Sequence, residues 1–437
     1  MMTGNFIRIF ASGVTLVGAL AASAPSHAIP AFARQTGKAC ATCHFQHYPV
    51  LNDFGMEFKS GGFVDRGKQG VLKGKGMSLP EILNASIFTK IRYQKNSGAD
   101  LPGMPTAASG ELQFPDEFAL LFGGRVAENI GFMLEGQLAA PGSFVAGFKL
   151  PMMFPIGKTG MKVGFVPYTT DALGASYGFE LLSTGAVRNV RIAEHRNEIS
   201  AQQYVGTATA ASGGALVLWD PKFYINFSKW SPNHAATANG LANGNPSSSY
   251  VRAVWTPTFG DWSLGIGAQG WFGESKVDDA LGVCGGTGLL AGTAVNCRTE
   301  ATAFDVQAQG VVAGLPLGVY LTHARADGTS AGQTVNLFNN QPNTKTATAI
   351  AAELGILPGK ATLIAAYRNA DNGRNPTPAR SDTDNAWTLG GTYQIAQNVQ
   401  LQINHSHRTK DNGYQGSDPT QSLRGTRLTT FMLSAGF

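Results

Sequence analysis

From about residue 80 onward, apolar and polar residues alternate with a period of two, and this pattern constrains the fold more than any other feature of the chain. Val399, Leu401, Ile403, His405 and His407 interleave with Gln400, Gln402, Asn404, Ser406 and Arg408, and Thr362, Ile364, Ala366 and Arg368 interleave with Leu363, Ala365 and Tyr367. Successive side chains on a strand point to opposite faces, so such runs predict strands with two differently solvated faces. Further strands are predicted at Ile82–Lys95, Glu117–Val126, Ile130–Leu138, Lys222–Trp230, Tyr250–Thr258, Trp262–Trp271, Ala301–Val312, Gly318–Ala326, Thr346–Leu357 and Trp387–Ile395. The connections between them alternate in length. Tight ones fall at Ala127-Glu128-Asn129, Phe259-Gly260-Asp261, Pro358-Gly359 and Ala396-Gln397, and long polar ones at 96–114, 231–248, 273–298, 327–345, 371–384 and 409–425.

Composition agrees with this pattern. The chain is 43% hydrophobic but only 14% charged, with 55 Gly and a mean hydropathy of −0.05. Soluble domains carry about a quarter charged residues, and past residue 28 no run of about 18 apolar residues would make a membrane helix. A membrane β-barrel has this composition, because one face of every strand meets lipid and the other meets water. A soluble β-sandwich would not be expected to alternate short and long loops so regularly. The expected fold class is therefore all-β, a transmembrane outer-membrane β-barrel, with a small N-terminal α-helical module. The roughly 358 residues after the linker, at roughly 20 to 24 per strand with its loop, predict 14 to 18 strands, with 16 the best even number. Phe431, Leu433, Ala435 and Phe437 share one face, and the aromatic last residue is expected to act as an outer-membrane assembly signal. The net charge of +5 is scattered along the chain, which argues against nucleic acid as a partner.

The N-terminus predicts export. Arg8 supplies a positive n-region, Val14 to Ala22 an apolar h-region and Ser26-His27-Ala28 a cleavage site, making 1–28 a signal peptide and Ile29 the mature start. Export excludes a cytoplasmic enzyme and points to the bacterial outer membrane. In an oxidising compartment Cys284 and Cys297, set in a Gly-rich stretch, are expected to form a disulfide.

The chain divides into a module at 29–78 and the barrel at 79–437. Leu51, Phe54 and Phe58 recur at helical spacing, Gly61-Gly62 ends that segment, and Lys68–Lys75 reads as a linker. About fifty residues bury little core unaided, so the module needs a large cofactor or another wall to fold against. Cys40-Ala41-Thr42-Cys43-His44 is the attachment motif for one covalent c-type haem. Two thiols one helical turn apart can add to the haem vinyl groups, and the following His then lies under the iron as proximal ligand. A zinc site, which needs four ligands, and a redox-active disulfide are the weaker alternatives. His47, on the same expected helix face as His44, is expected to pack rather than ligate. Met56 and Met77 are the thioether candidates for the sixth position, Met77 ahead because a longer loop can cross the haem. His405 and His407 are expected on the lipid side, away from any iron.

The stretch Pro30-Ala31-Phe32-Ala33-Arg34-Gln35-Thr36-Gly37, the haem motif, Phe45-Gln46-His47-Tyr48-Pro49, Leu51-Asn52 and Phe54-Gly55 resemble the fused monohaem cytochrome–porin family of outer-membrane Fe(II) oxidases. Leu79-Pro80, Leu83-Asn84-Ala85-Ser86, Lys90-Ile91-Arg92-Tyr93-Gln94-Lys95 and Pro115-Asp116-Glu117 extend the likeness to about residue 135, while Met56 stands where the family's segment has Arg. The resemblance implies oxidation of extracellular Fe(II) at a single haem and passage of electrons to a periplasmic c-type cytochrome or other acceptor. That would make the chain an Fe(II) oxidoreductase of the iron:cytochrome c reductase type, partnered by outer-membrane lipid. Two other functions stay open: a porin or transport barrel with a haem-bearing plug, and an electron conduit for another extracellular donor. Asp278-Asp279, Asp382 and Asp384 are loop carboxylates that would be candidates to gather Fe(II).

Overall fold

The computed structural model describes residues 31–98, 109–138, 144–185, 200–234, 236–237, 240–241, 245–278, 284, 294–376, 382–409 and 425–437; the expected signal peptide at 1–28 lies outside them. A closed antiparallel barrel of sixteen strands forms the body of the molecule. In chain order these are β1 Ala85–Asn96, β2 Glu111–Ala127, β3 Ile130–Gln137, β4 Val145–Lys149 continued by Met152–Pro155, β5 Lys162–Thr170, β6 Ala211–Asp220, β7 Phe223–Ser231 and β8 Ser248–Trp255 continued by Thr258–Phe259. They continue as β9 Trp262–Phe272, β10 Ala301–Val312, β11 Leu315–Ala326, β12 Lys345–Leu357, β13 Ala361–Asp371, β14 Ala386–Ala396, β15 Val399–Arg408 and β16 Arg427–Gly436. Each pairs with its chain neighbour, and β16 closes on β1 with Leu433 opposite Ile91; Phe437 exchanges two backbone hydrogen bonds with Ile87 at that seam.

Alternation sorts the side chains. Phe165, Leu216, Phe227, Phe304, Ile350, Leu363, Leu389, Ile403 and Phe431 form an exposed apolar belt on the outside, while Arg92, Arg252, Asp305, Glu353, Arg368, Thr388 and Ser406 are buried in the lumen. A closed sheet satisfies every backbone group without water, which is the condition for crossing hydrocarbon. The barrel is therefore one that spans the outer membrane. Two-residue turns such as Ala313-Gly314 mark the periplasmic end, and the long connections mark the other.

Three strands carry no sequence forecast above: β4, β5 and β6. Their lumen faces are apolar rather than polar, with Val166, Tyr168, Ala215, Val217 and Trp219 all buried, so the contrast that reveals a strand is missing. The cause lies in the segment that follows β5, which folds into the lumen against them: Tyr177 meets Lys149 and Tyr168, and Gly178 lies against Tyr168 and Ala215. The stretch at 68–75, expected to be a linker, is instead part of a hairpin of Val71–Gly74 with Met77–Pro80. Its turn contains Gly76 at φ 76°, a conformation that glycine adopts at no steric cost.

Candidate functional site

Residues 31–64 lodge against the lumen wall at the short-turn end, and the hairpin at 71–80 is largely exposed. Three short helices carry the chemistry: α1 Ala31–Thr36, α2 Cys40–Cys43 and α3 Asp53–Ser60. Asn52 caps α3 by accepting from the Gly55 amide at 3.0 Å, with Asp53 and Lys59 placed to match the helix dipole. Gly55 permits the contact between α3 and α2, because a Cβ there would strike the Cys43 carbonyl oxygen. α2 holds the two free thiols one turn apart and stops at His44, whose backbone is extended (φ −112°, ψ 136°) and bridges to Leu51.

His47 does not share a helix face with His44. The chain turns at Gln46 (φ 63°), and His47 leaves the module to meet the barrel wall, its Nε2 2.6 Å from Glu353 Oε1 with both side chains buried. Burial alone would lower the His47 pKa, but the Glu353 carboxylate overcomes it and the imidazole titrates above its usual range. Neighbouring contacts fasten the same side. Gln46 Nε2 donates to the Glu353 carbonyl at 3.2 Å, Gln309 Nε2 donates to the Leu51 carbonyl at 3.1 Å, and Ser263 bonds the Asp53 carboxylate. Val50 is fully buried among Tyr320, Ala351, Ile364 and Ala366. On the far side of the module Arg125 Nη1 reaches the Val64 carbonyl at 3.3 Å. Gly131 of β3 lies so close to Gly62 that a Cβ would collide with its carbonyl oxygen.

A cavity of about 290 Å³ separates the module from the rest of the lumen, a volume near the scale of small-molecule sites. Cys40, Cys43 and His44 stand on its wall together with Leu51, Phe58 and Phe63. The barrel adds Met133, Glu135 and Lys149, and the inward segment adds Leu173, Tyr177 and Glu180. His44 Nδ1 lies 3.2 Å from the Val50 carbonyl; a carbonyl only accepts, so Nδ1 carries the proton and Nε2 keeps its lone pair. Burial pushes the His44 imidazole down to about 4, so it is neutral at ordinary pH, the form a metal requires. Burial likewise raises both thiols, Cys43 further under the influence of Cys40. Thiol pair, oriented imidazole and apolar walls fit a c-type haem. The zinc alternative fits less well, since His47 is engaged by Glu353, and among the described residues no group of three or more His, Cys, Asp or Glu converges as a metal-ion site.

The inward segment, which contains a 3-10 turn at Ala175–Tyr177, is latched by charge. Arg252 binds Asp305 through two bonds of 2.7 and 3.0 Å and also contacts Glu180, which accepts from Tyr224 Oη and the Leu182 amide, each at 2.7 Å. Thr184 Oγ1 donates to Asp305 at 2.7 Å. Beyond it, helix α4 (Ala201–Val205) lies near a second cluster in which Asp384 takes Arg368 and Arg408, each at 3.0 Å. Asp384 is thus a buried counter-ion rather than an exposed collector of cations; Asp279 falls outside the described residues. Neither Met77, 42% exposed on the hairpin, nor Met56, buried in the main apolar cluster, is on the cavity wall. His405 and His407 point outward beside the Trp387 ring at 6.0 and 5.6 Å. Cys284 and Cys297 form a disulfide, Cys297 lying in the second strand of the hairpin Glu274–Asp278 and Ala294–Arg298. Sequence reasoning missed Glu353, although an acid alternating among Ala351, Ile350 and Leu354 marks a strand position that needs a buried partner.

No family model and no curated protein matches the chain. Among solved structures it is similar to OmpT of Vibrio cholerae at 13% identity, covering 84% of this chain and 99% of that one with a TM-score of 0.45. It is also similar to OmpF of Salmonella typhi in complex with daunomycin (12% identity, 84% and 100% covered, TM-score 0.49). The outer-membrane channel DcaP of Acinetobacter baumannii matches at 11% identity, with 84% and 100% covered and a TM-score of 0.45.

Proposed function

We propose that this porin-like barrel is an outer-membrane cytochrome–porin that oxidises extracellular Fe(II) at one c-type haem and delivers electrons to a periplasmic carrier. One observation carries the reading: Cys40, Cys43 and His44 stand on the wall of a single cavity between an ordered module and the barrel lumen. Cys40 and Cys43 would hold the haem through thioether bonds and His44 would ligate its iron. When bound, the group supplies one-electron exchange, with Fe(II) outside as donor and a periplasmic cytochrome as acceptor. The Val50 carbonyl fixes the His44 ring, and Phe58, Phe63 and Leu51 keep water from the site. The module and the segment at 173–185 occupy the lumen, so that charge crosses where bulk solute is obstructed. Rapid mixing of the oxidised, detergent-extracted protein with Fe(II) should convert the visible spectrum to that of a reduced c-type cytochrome. A spectrum unmoved by Fe(II) but moved by a reduced sulfur donor would reassign the donor.

The inward fold of 173–185 across the lumen, as a pore constriction would lie, favours a second reading, a porin whose haem module is a plug. Planar-bilayer recording separates the two. Little current supports the electron conduit, and a large steady current supports the porin.

A further inference from the structure

With His44 as one ligand, the module's own methionines would not supply another, since Met77 is exposed on the hairpin and neither it nor Met56, buried in the main apolar cluster, is on the cavity wall. The barrel offers a thioether instead. Alternation along β3 turns Gly131, Met133 and Glu135 to the lumen, and Met133 stands on the same cavity wall as His44 and both thiols. Its cross-strand partners are Gly123 and Lys149. Gly123 has no side chain and lies against Phe32 of α1, and Lys149 is occupied, its Nζ donating to the Tyr177 carbonyl at 3.0 Å and lying 4.3 Å from the Tyr177 ring. Other lone-pair groups on the wall are also engaged. Glu180 is held by Arg252, Tyr224 and Leu182, Glu135 accepts from Gln137 at 3.4 Å, and Lys38 lies over the Phe54 ring at 5.1 Å. Burial keeps the Tyr177 phenol protonated and so a poor ligand.

We propose that Met133, a barrel-wall residue, is the sixth ligand of the haem carried by Cys40, Cys43 and His44. The inference rests on the haem reading above. It makes the iron a junction between two parts of the chain, so that haem attachment pins the module to β3. Thioether ligation also raises the reduction potential above that of two imidazoles, which suits a weak reductant.

The test uses the full-length, matured, detergent-extracted protein and Met133→Leu, a substitution that nearly conserves volume. In the wild type, near-infrared magnetic circular dichroism of the oxidised protein should show a low-spin iron with thioether ligation. Met133→Leu should keep covalent haem but turn high-spin, bind added cyanide faster and lose potential, and Met133→His should restore low spin at a lower potential. A wild-type spectrum of amine ligation or of a five-coordinate iron overturns the proposal, as does a Met133→Leu spectrum and potential unchanged from wild type. If Met133→Leu fails to reach the membrane, the wild-type spectrum alone decides. A wild-type chain without covalent haem overturns the haem reading itself, and is told apart from loss of the ligand by the missing adduct.

Discussion

The barrel wall and the module within it are ordered by different means. Each wall strand is held by its neighbours through antiparallel ladders, as between β10 and β11, where register runs unbroken over twelve pairs from Ala301 opposite Ala326 to Val312 opposite Leu315. The module has helices of 6, 4 and 8 residues, all below the roughly 12 to 15 at which an isolated helix becomes marginally stable. Its order is borrowed from the wall through Val50, His47, Gln46 and Leu51. A change in the module should therefore spare the barrel, whereas a change in the lumen face of the wall should reach the module.

The largest effect should come from Cys43→Ala or His44→Ala. Each is expected to abolish electron transfer from Fe(II), while heat-modifiable gel mobility shows the barrel still folded; loss of both together would break the separation. Arg252→Ala comes next. It leaves Glu180 and Asp305 buried without their cation, a change of about 3–5 kcal/mol, and should free the inward segment and raise single-channel conductance. Unchanged conductance would mean that the segment is held by its apolar contacts alone. Glu353→Ala strips the partner from buried His47 and should weaken docking of the module by about 1–3 kcal/mol, read as faster proteolysis of residues 31–80 with wall strands protected.

The smallest effect concerns pH. The His47 pKa is raised in the folded state, so its contribution is fully present below the unfolded value of 6.5 and is lost as pH rises through the folded value. Module proteolysis should thus accelerate on the alkaline side in wild type, and Glu353→Gln, which removes the charge, should flatten that dependence. A dependence that persists in Glu353→Gln would place the titrating group elsewhere.

The same contrast explains what was legible in the sequence. The wall is a local code: Leu401, Ile403 and His405 on one face and Gln400, Gln402 and Asn404 on the other are enough to declare β15 and its orientation. Where the lumen is filled by chain rather than water, the code fails, and β5 with Val166 and Tyr168 inward was invisible. The motif Cys40 to His44 was legible because covalent chemistry fixes its spacing. The surroundings of the motif were not. His47 left its expected helix face because α2 ends at Cys43 and the chain turns at Gln46, and its partner Glu353 lies some three hundred residues away. Met133 and Lys149 enter the site only because closure of the barrel brings β3 and β4 to the module.

The most direct test of the central claim is the mass of the peptide between Lys38 and Lys59, taken from the mature protein isolated from cells that assemble c-type cytochromes. The account predicts one haem adduct bound through both Cys40 and Cys43, with Cys284 and Cys297 carrying none. An unmodified mass for that peptide would contradict it.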